Sequence, residues 1–158
     1  MNRKAKILAL VLAASLPGCK GPAGGPGAAQ VIHAESGLAV IPLTITHAGQ
    51  QHRFKVELAK RSFEQAKGLM FRTGLGPDEG MLFPLEPPRP ASFWMRNTVI
   101  ELDLLFIAPD GRIANIAANA KPYDESQLTS VGPVKAVLEL SGGRAAALGI
   151  AAGDTVTW

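Results

Sequence analysis

The chain has 158 residues, one cysteine and a formal net charge of +3. That length is the size of one domain, and a single cysteine excludes an internal disulfide. The basic excess is local: three of the 16 Lys and Arg are Arg3, Lys4 and Lys6, so from Cys19 onward 13 basic residues face 13 acidic ones. Such a balance offers no electrostatic ground for nucleic-acid binding, which leans on a net basic face.

Residues 1–18 have the three-part layout of an export signal: the basic residues, an apolar run over 7–16, then Pro17-Gly18. The run is shorter than the roughly 20 residues a permanent membrane helix needs, so it is read as a removable address. Leu16-Pro17-Gly18-Cys19 resembles the bacterial lipoprotein signal, in which cleavage leaves Cys as the first residue and acyl chains are added to it. Leu16 and Gly18 fit that pattern, whereas Pro17 stands where a small or β-branched residue is usual. Two alternatives are a later cut near Ala28-Ala29 and an uncleaved hydrophobic anchor. The chain's only cysteine sits where lipidation requires it, so Cys19 is the predicted attachment site and the membrane of the cell envelope the predicted partner. Residues 20–37 are rich in Gly, Pro and Ala, a composition expected of a flexible tether.

From Leu38 short apolar segments of period two alternate with turn residues. Residues 40–47 and 53–59 are predicted to pair across Ala48-Gly49-Gln50-Gln51, with Phe54, Val56 and Leu58 on one face. Ser62-Phe63-Glu64-Gln65 has capping-box spacing, in which Ser and Gln satisfy free backbone N–H groups, and predicts a helix over 62–70. Strands are expected at 81–85 and 92–98. A second hairpin joins 102–107 to 112–117 through Pro109-Asp110-Gly111, where Pro presets φ and Gly accepts a positive φ. A strand at 134–140, a helix at 143–148 stopped by Gly149 and a strand at 155–158 complete the domain, with no internal repeat. Seven or so short strands without regular helix alternation predict a mainly β single domain, residues 38–158. It is a β-sandwich, jelly-roll-like or partly closed barrel with two short helices.

Four segments carry a further signal: Gly68-Leu69-Met70-Phe71-Arg72; Gly80-Met81-Leu82-Phe83; Phe93-Trp94-Met95-Arg96-Asn97-Thr98 with Leu102-Asp103; and Val137-Leu138-Glu139-Leu140 with Gly149-Ile150 and Gly153-Asp154. Their order and spacing resemble the domain of unknown function 192, a family of small, often exported bacterial and archaeal proteins, over about residues 52–158. Glu101 departs from the Pro common there, which touches only the bend before Leu102. The resemblance implies a mainly β, jelly-roll-like or barrel-like fold, and it implies no reaction, ligand or catalytic residue.

Asp103 interrupts an apolar run, and a buried carboxylate needs a partner. Met by Arg96 or the Asn97 side chain, it would line a polar pocket; otherwise it is a hydrogen-bonded anchor between strands. Glu139 faces away from Leu138 and Leu140, toward solvent or into a cleft. Sharing a groove with Asp103 at about 5 to 10 Å would suit carbohydrate hydrolysis. Met70, Met81 and Met95 would suit Cu(I) if they converged, though methionine more often fills core gaps. His47 and His52 flank a turn, too few for a metal site, and His33 falls in the tether. Phe83, Phe93 and Trp94 offer either core packing or a stacking wall. Alternation sets Trp94 and Arg96 on the face opposite Phe93 and Met95.

The chain lacks a phosphate-binding Gly-rich loop, a nucleophile elbow, HExxH and CxxC. The expectation is therefore a binding or accessory domain without a cofactor, leaning away from an enzyme. Its ligand site, for a small molecule or carbohydrate, is placed at Trp94, Arg96, Asn97 and Asp103.

Overall fold

The run Leu-Asp-Leu-Leu-Phe-Ile has no polar face to offer water, and it lies inside the sheet. The computed structural model describes residues 30–158; the leader, Cys19 and the first part of the tether lie outside the described residues. The elements are β1 (Val40–His47), β2 (Gln50–Leu58), α1 (Ser62–Lys67), β3 (Glu79–Arg89), β4 (Ser92–Phe93), β5 (Leu102–Ile107), β6 (Ile113–Ala120), β7 (Leu128–Thr129), β8 (Val134–Ser141), α2 (Arg144–Ala147) and β9 (Thr155–Thr157). Seven strands form one mixed sheet in the order β6-β5-β8-β3-β2-β1-β9, and β4 and β7 form a separate pair.

The mainly β single domain with two short helices is thus as expected, and its sheet is not a closed barrel. One bridge, Arg112 to Thr155, ties the start of β6 to β9, and no continuous ladder closes the sheet into a barrel. A second departure is the parallel pairing of β2 with β3, from Lys55 opposite Glu79 to Leu58 opposite Leu82. Parallel neighbours need a crossover, and residues 59–78, containing α1, supply it.

Turn chemistry explains the shifted boundaries. β1 and β2 meet in a two-residue turn with Ala48 and Gly49 both at positive φ, the conformation whose twist matches a hairpin. His47 therefore pairs with Gln50, and β2 begins three residues before expectation. At α1 the cap is Arg61 rather than Ser62: the Glu64 carboxylate accepts the Lys60 and Arg61 N–H groups at 2.9 and 2.8 Å. Gln65 instead donates to the Ala59 and Pro84 carbonyls at 3.1 and 2.8 Å, fastening the helix over β3.

Both faces of the central strands are buried. On one face, Leu82 of β3, Leu105 and Ile107 of β5 and Leu138 and Leu140 of β8 pack with Phe54, Val56, Leu43 and Ile45. On the other, Met81, Phe83, Leu104, Phe106 and Val137 pack under Leu69, Ala91, Met95 and Phe93, which arrive from outside the sheet. Each fully buried side chain of this size contributes roughly 1.5 to 3 kcal/mol. Gly80 permits the closeness of β3 to β8: a Cβ there would stand 2.6 Å from the Glu139 carbonyl oxygen.

Part of the expected tether is held against the domain. Val40 N–H donates to the Val31 carbonyl at 2.8 Å, and His33 Nε2 lies 3.6 Å from Glu57. Glu35 reaches Arg72 Nε at 3.1 Å. Arg72 also grips Glu57 through two hydrogen bonds of 2.9 and 3.0 Å, a bidentate arrangement suited to a buried guanidinium–carboxylate pair. That pair fixes the chain after α1 to β2, and so sets one wall of the cavity described next.

Candidate functional site

Glu139 and Asp103 lie on neighbouring strands, and register sends them to opposite faces. Glu139 stands opposite Leu104, and Asp103 opposite Leu140; directly paired residues share a face, and adjacent ones alternate. The shared groove required by a two-carboxylate hydrolase using Asp103 and Glu139 is therefore not formed, and that reading is corrected.

Asp103 is wholly enclosed. Its carboxylate accepts the backbone N–H groups of Asn119 at 2.8 Å, Gly143 at 3.0 Å and Ala145 at 2.9 Å. Two of these belong to the start of α2, which has no side-chain cap of its own, so Asp103 caps that helix from β5 and pins the β6 end beside it. Neither Arg96 nor Asn97 is its partner. Arg96 stacks on the Trp94 ring, 5.4 Å from its centroid, and lies 3.8 Å from Glu125. Asn97, at positive φ, donates from Nδ2 to the Met70 sulfur at 3.8 Å and accepts the Phe71 N–H through its carbonyl. Trp94, Arg96 and Asn97 thus share one corner, and Asp103 works elsewhere.

Glu139 is the opposite case. It is only 5% exposed, yet it borders a cavity of about 370 Å³. The cavity lies between the end of α1 with the chain just after it (Gln65 to Met70), β3 (Phe83, Leu85), the bend through Arg89 and Ala91, and the Ser92–Trp94 segment. Thr98 completes the wall. Phe83 and Phe93 meet edge to face with centroids 5.2 Å apart, and Phe93 meets Phe106 at 6.4 Å, geometries that favour aromatic pairs. Burial alone pushes the Glu139 carboxyl up from 4.5 to about 8; neither a cation nor a hydrogen-bond donor offsets it. Desolvation disfavours the charged form, so at neutral pH this group is mostly the protonated acid, one O–H donor with remaining acceptor capacity. Lys67 and Arg89 are exposed at the same cavity.

Sequence reasoning gave Glu139 a face without saying what covers it, and it missed Lys67, Arg89, Gln65 and Thr98 as lining residues. The usable signal for Glu139 was a carboxylate inside Val-Leu-Glu-Leu on a strand whose flanks are apolar in both directions. Among the other expected sites, Met81 and Met95 are enclosed in the core, while Met70 borders the cavity. The hairpin register puts Ile45, not His47, opposite His52; His47 Nδ1 instead meets the Asp154 carboxylate at 3.0 Å. Among the described residues no group of three or more His, Cys, Asp or Glu side chains is arranged to hold a metal ion.

Fold and site together define a small mixed-sheet β domain with a cavity of mixed polar and apolar lining that contains a single carboxyl, that of Glu139. A family model, DUF192, described as an uncharacterized ACR, matches residues 43–158, and the chain belongs to this family. Among solved structures it is similar to a protein of unknown function from Novosphingobium aromaticivorans DSM 12444. The two are 57% identical, with a TM-score of 0.81 over 84% of this chain and 94% of that one. It is also similar to a Sinorhizobium meliloti 1021 protein described as a candidate transcription regulator. There the identity is 41% and the TM-score 0.74, over 76% of this chain and 94% of that one. No curated protein matches the chain. The four segments that carry the family resemblance meet at the cavity: it takes Gly68 to Met70 from the first, Phe83 from the second, Phe93, Trp94 and Thr98 from the third and Glu139 from the fourth.

Proposed function

We propose that this chain is an exported envelope protein, lipid-anchored at Cys19, whose β domain binds a small molecule in the Glu139 cavity without transforming it. The observation that carries the binding reading is the carboxyl itself: buried, facing a cavity, and free of the partner a structural carboxyl acquires. Leaving a polar group so costs a fold free energy, and a ligand that hydrogen-bonds it recovers that cost. Pockets of about 300 Å³ and upward that set convergent polar groups among apolar surface are typical of small-molecule sites. The cavity lining holds the Ser92 and Thr98 hydroxyls but no His, Cys or Asp, so no Ser–His pair of the usual kind is assembled there. The balanced charge beyond the leader does not favour a nucleic-acid partner.

Thermal-shift screening with sugars, amino acids and small aromatic acids tests the binding reading. A ligand at a hundredfold its Kd stabilises the fold by about 2.7 kcal/mol, and Ala66→Trp, at an exposed position on the cavity wall, removes that gain. A gain untouched by Ala66→Trp would place binding elsewhere. For the anchor, fractionation is expected to find the protein with membranes and Cys19→Ala in the soluble fraction; an unchanged distribution argues against lipidation.

A further inference from the structure

Three properties of the cavity point to one kind of ligand. Its volume of about 370 Å³ is near the low end for small-molecule sites, so it holds one ring with a short chain rather than an oligosaccharide or a folded lipid. Its apolar surface is aromatic and thioether, from Phe83, Phe93, Trp94 and Met70, interleaved with the polar side chains of Gln65, Ser92 and Thr98. Its charged groups are arranged by depth: Lys67 and Arg89 are exposed at the opening, and neither has an ion-pair partner among the described residues. Glu139 is enclosed at the floor.

Resting on the reading that this cavity binds a ligand, we infer that it takes a small aromatic carboxylate. The ring lies against Phe83 and Phe93, and the carboxylate is held at the opening by Lys67 and Arg89. A planar guanidinium suits a carboxylate, offering two parallel N–H groups to its two oxygens. The floor does not oppose an anion, because burial keeps Glu139 largely in its neutral form and its O–H is free to donate to an acceptor on the ligand. A cationic ligand faces the reverse arrangement: it passes two unpaired positive charges, then has to ionise a desolvated acid before gaining an ion pair. A neutral sugar can hydrogen-bond the polar part of the lining but gains no charge pair from Lys67 and Arg89.

A matched set of probes separates these cases: 3-phenylpropanoate, 3-phenylpropan-1-ol and 3-phenylpropan-1-amine, titrated against the purified protein at pH 7 by ligand-observed NMR. The carboxylate is expected to bind at least about fivefold more tightly than the alcohol, the gain available from two partly exposed charge pairs, with the amine weakest. Lys67→Ala combined with Arg89→Ala should abolish the preference for the carboxylate over the alcohol. Both substitutions are at exposed positions, and an unaltered melting temperature checks the fold. Tightest binding by the amine, or a carboxylate preference that survives the double substitution, overturns the inference while leaving a ligand cavity in place. Failure of all three probes to bind overturns this inference, while the binding reading beneath it stands or falls on the thermal-shift screen.

Discussion

Asp103 and Glu139 are both buried carboxyls on central strands of one sheet, and they have opposite surroundings. Asp103 is saturated by three backbone N–H groups that hold α2 and the end of β6 in place. Glu139, across the sheet, has only desolvation acting on it and a cavity before it. Burial by itself therefore does not tell a saturated carboxyl from an unpartnered one. The bonds that burial leaves unmade do.

Removing the Asp103 carboxylate should have the largest effect. Asp103→Ala leaves three N–H donors without their acceptor, that of Ala145 buried, and is expected to cost about 3 kcal/mol, with Asp103→Asn in the range of about 1 to 3 kcal/mol. Urea denaturation measures both, and an unchanged midpoint would erase the contrast. Next comes Gly80→Ala, whose Cβ would collide with the Glu139 carbonyl and Leu140; forcing β3 from β8 should cost about 1 to 3 kcal/mol.

Glu139→Gln should act in the opposite direction, by an amount that depends on pH. Below about 4.5, folded and unfolded chains both carry the protonated acid, and the substitution has no ionisation effect. Between 4.5 and about 8 the unfolded chain releases its proton first, so native stability falls by up to about 1.4 kcal/mol per pH unit and then levels off. Gln escapes that loss, and its advantage in melting temperature should grow from pH 5 to pH 8; equal slopes for the two proteins would contradict the bare-carboxyl description. The smallest effect on stability is expected from Trp94→Ala. Trp94 is 48% exposed, so its removal should stay within about 0.5 kcal/mol while weakening any ligand that uses the cavity.

What could be read from the sequence was the local part of this contrast. β1 and β5 lie where the apolar patterns put them, and α2 stops before Gly149, which takes a positive φ. Asp103 was recognisable as a residue in need of partners, because no aspartate sits among four large apolar neighbours without one. Its partners were not recognisable, since they are backbone amides of residues 119, 143 and 145, and side-chain identities say nothing of where an amide points. Glu139 posed the complementary problem. Period two showed which way it faces, but its cover comes from residues 65–70 and 89–98, brought over the sheet by a parallel crossover and by the β4–β7 pair. Neither leaves a local pattern. The same holds for Arg89, which lies in a proline-rich stretch and enters the site only because the chain bends there.

The most direct measurement is the carboxyl ¹³C titration of Glu139 in the folded protein. A midpoint near 8, far above the ordinary 4.5, is the predicted result. A midpoint in the ordinary range would mean that water or a donor already satisfies this group, and the distinction between the two faces of the sheet would fail.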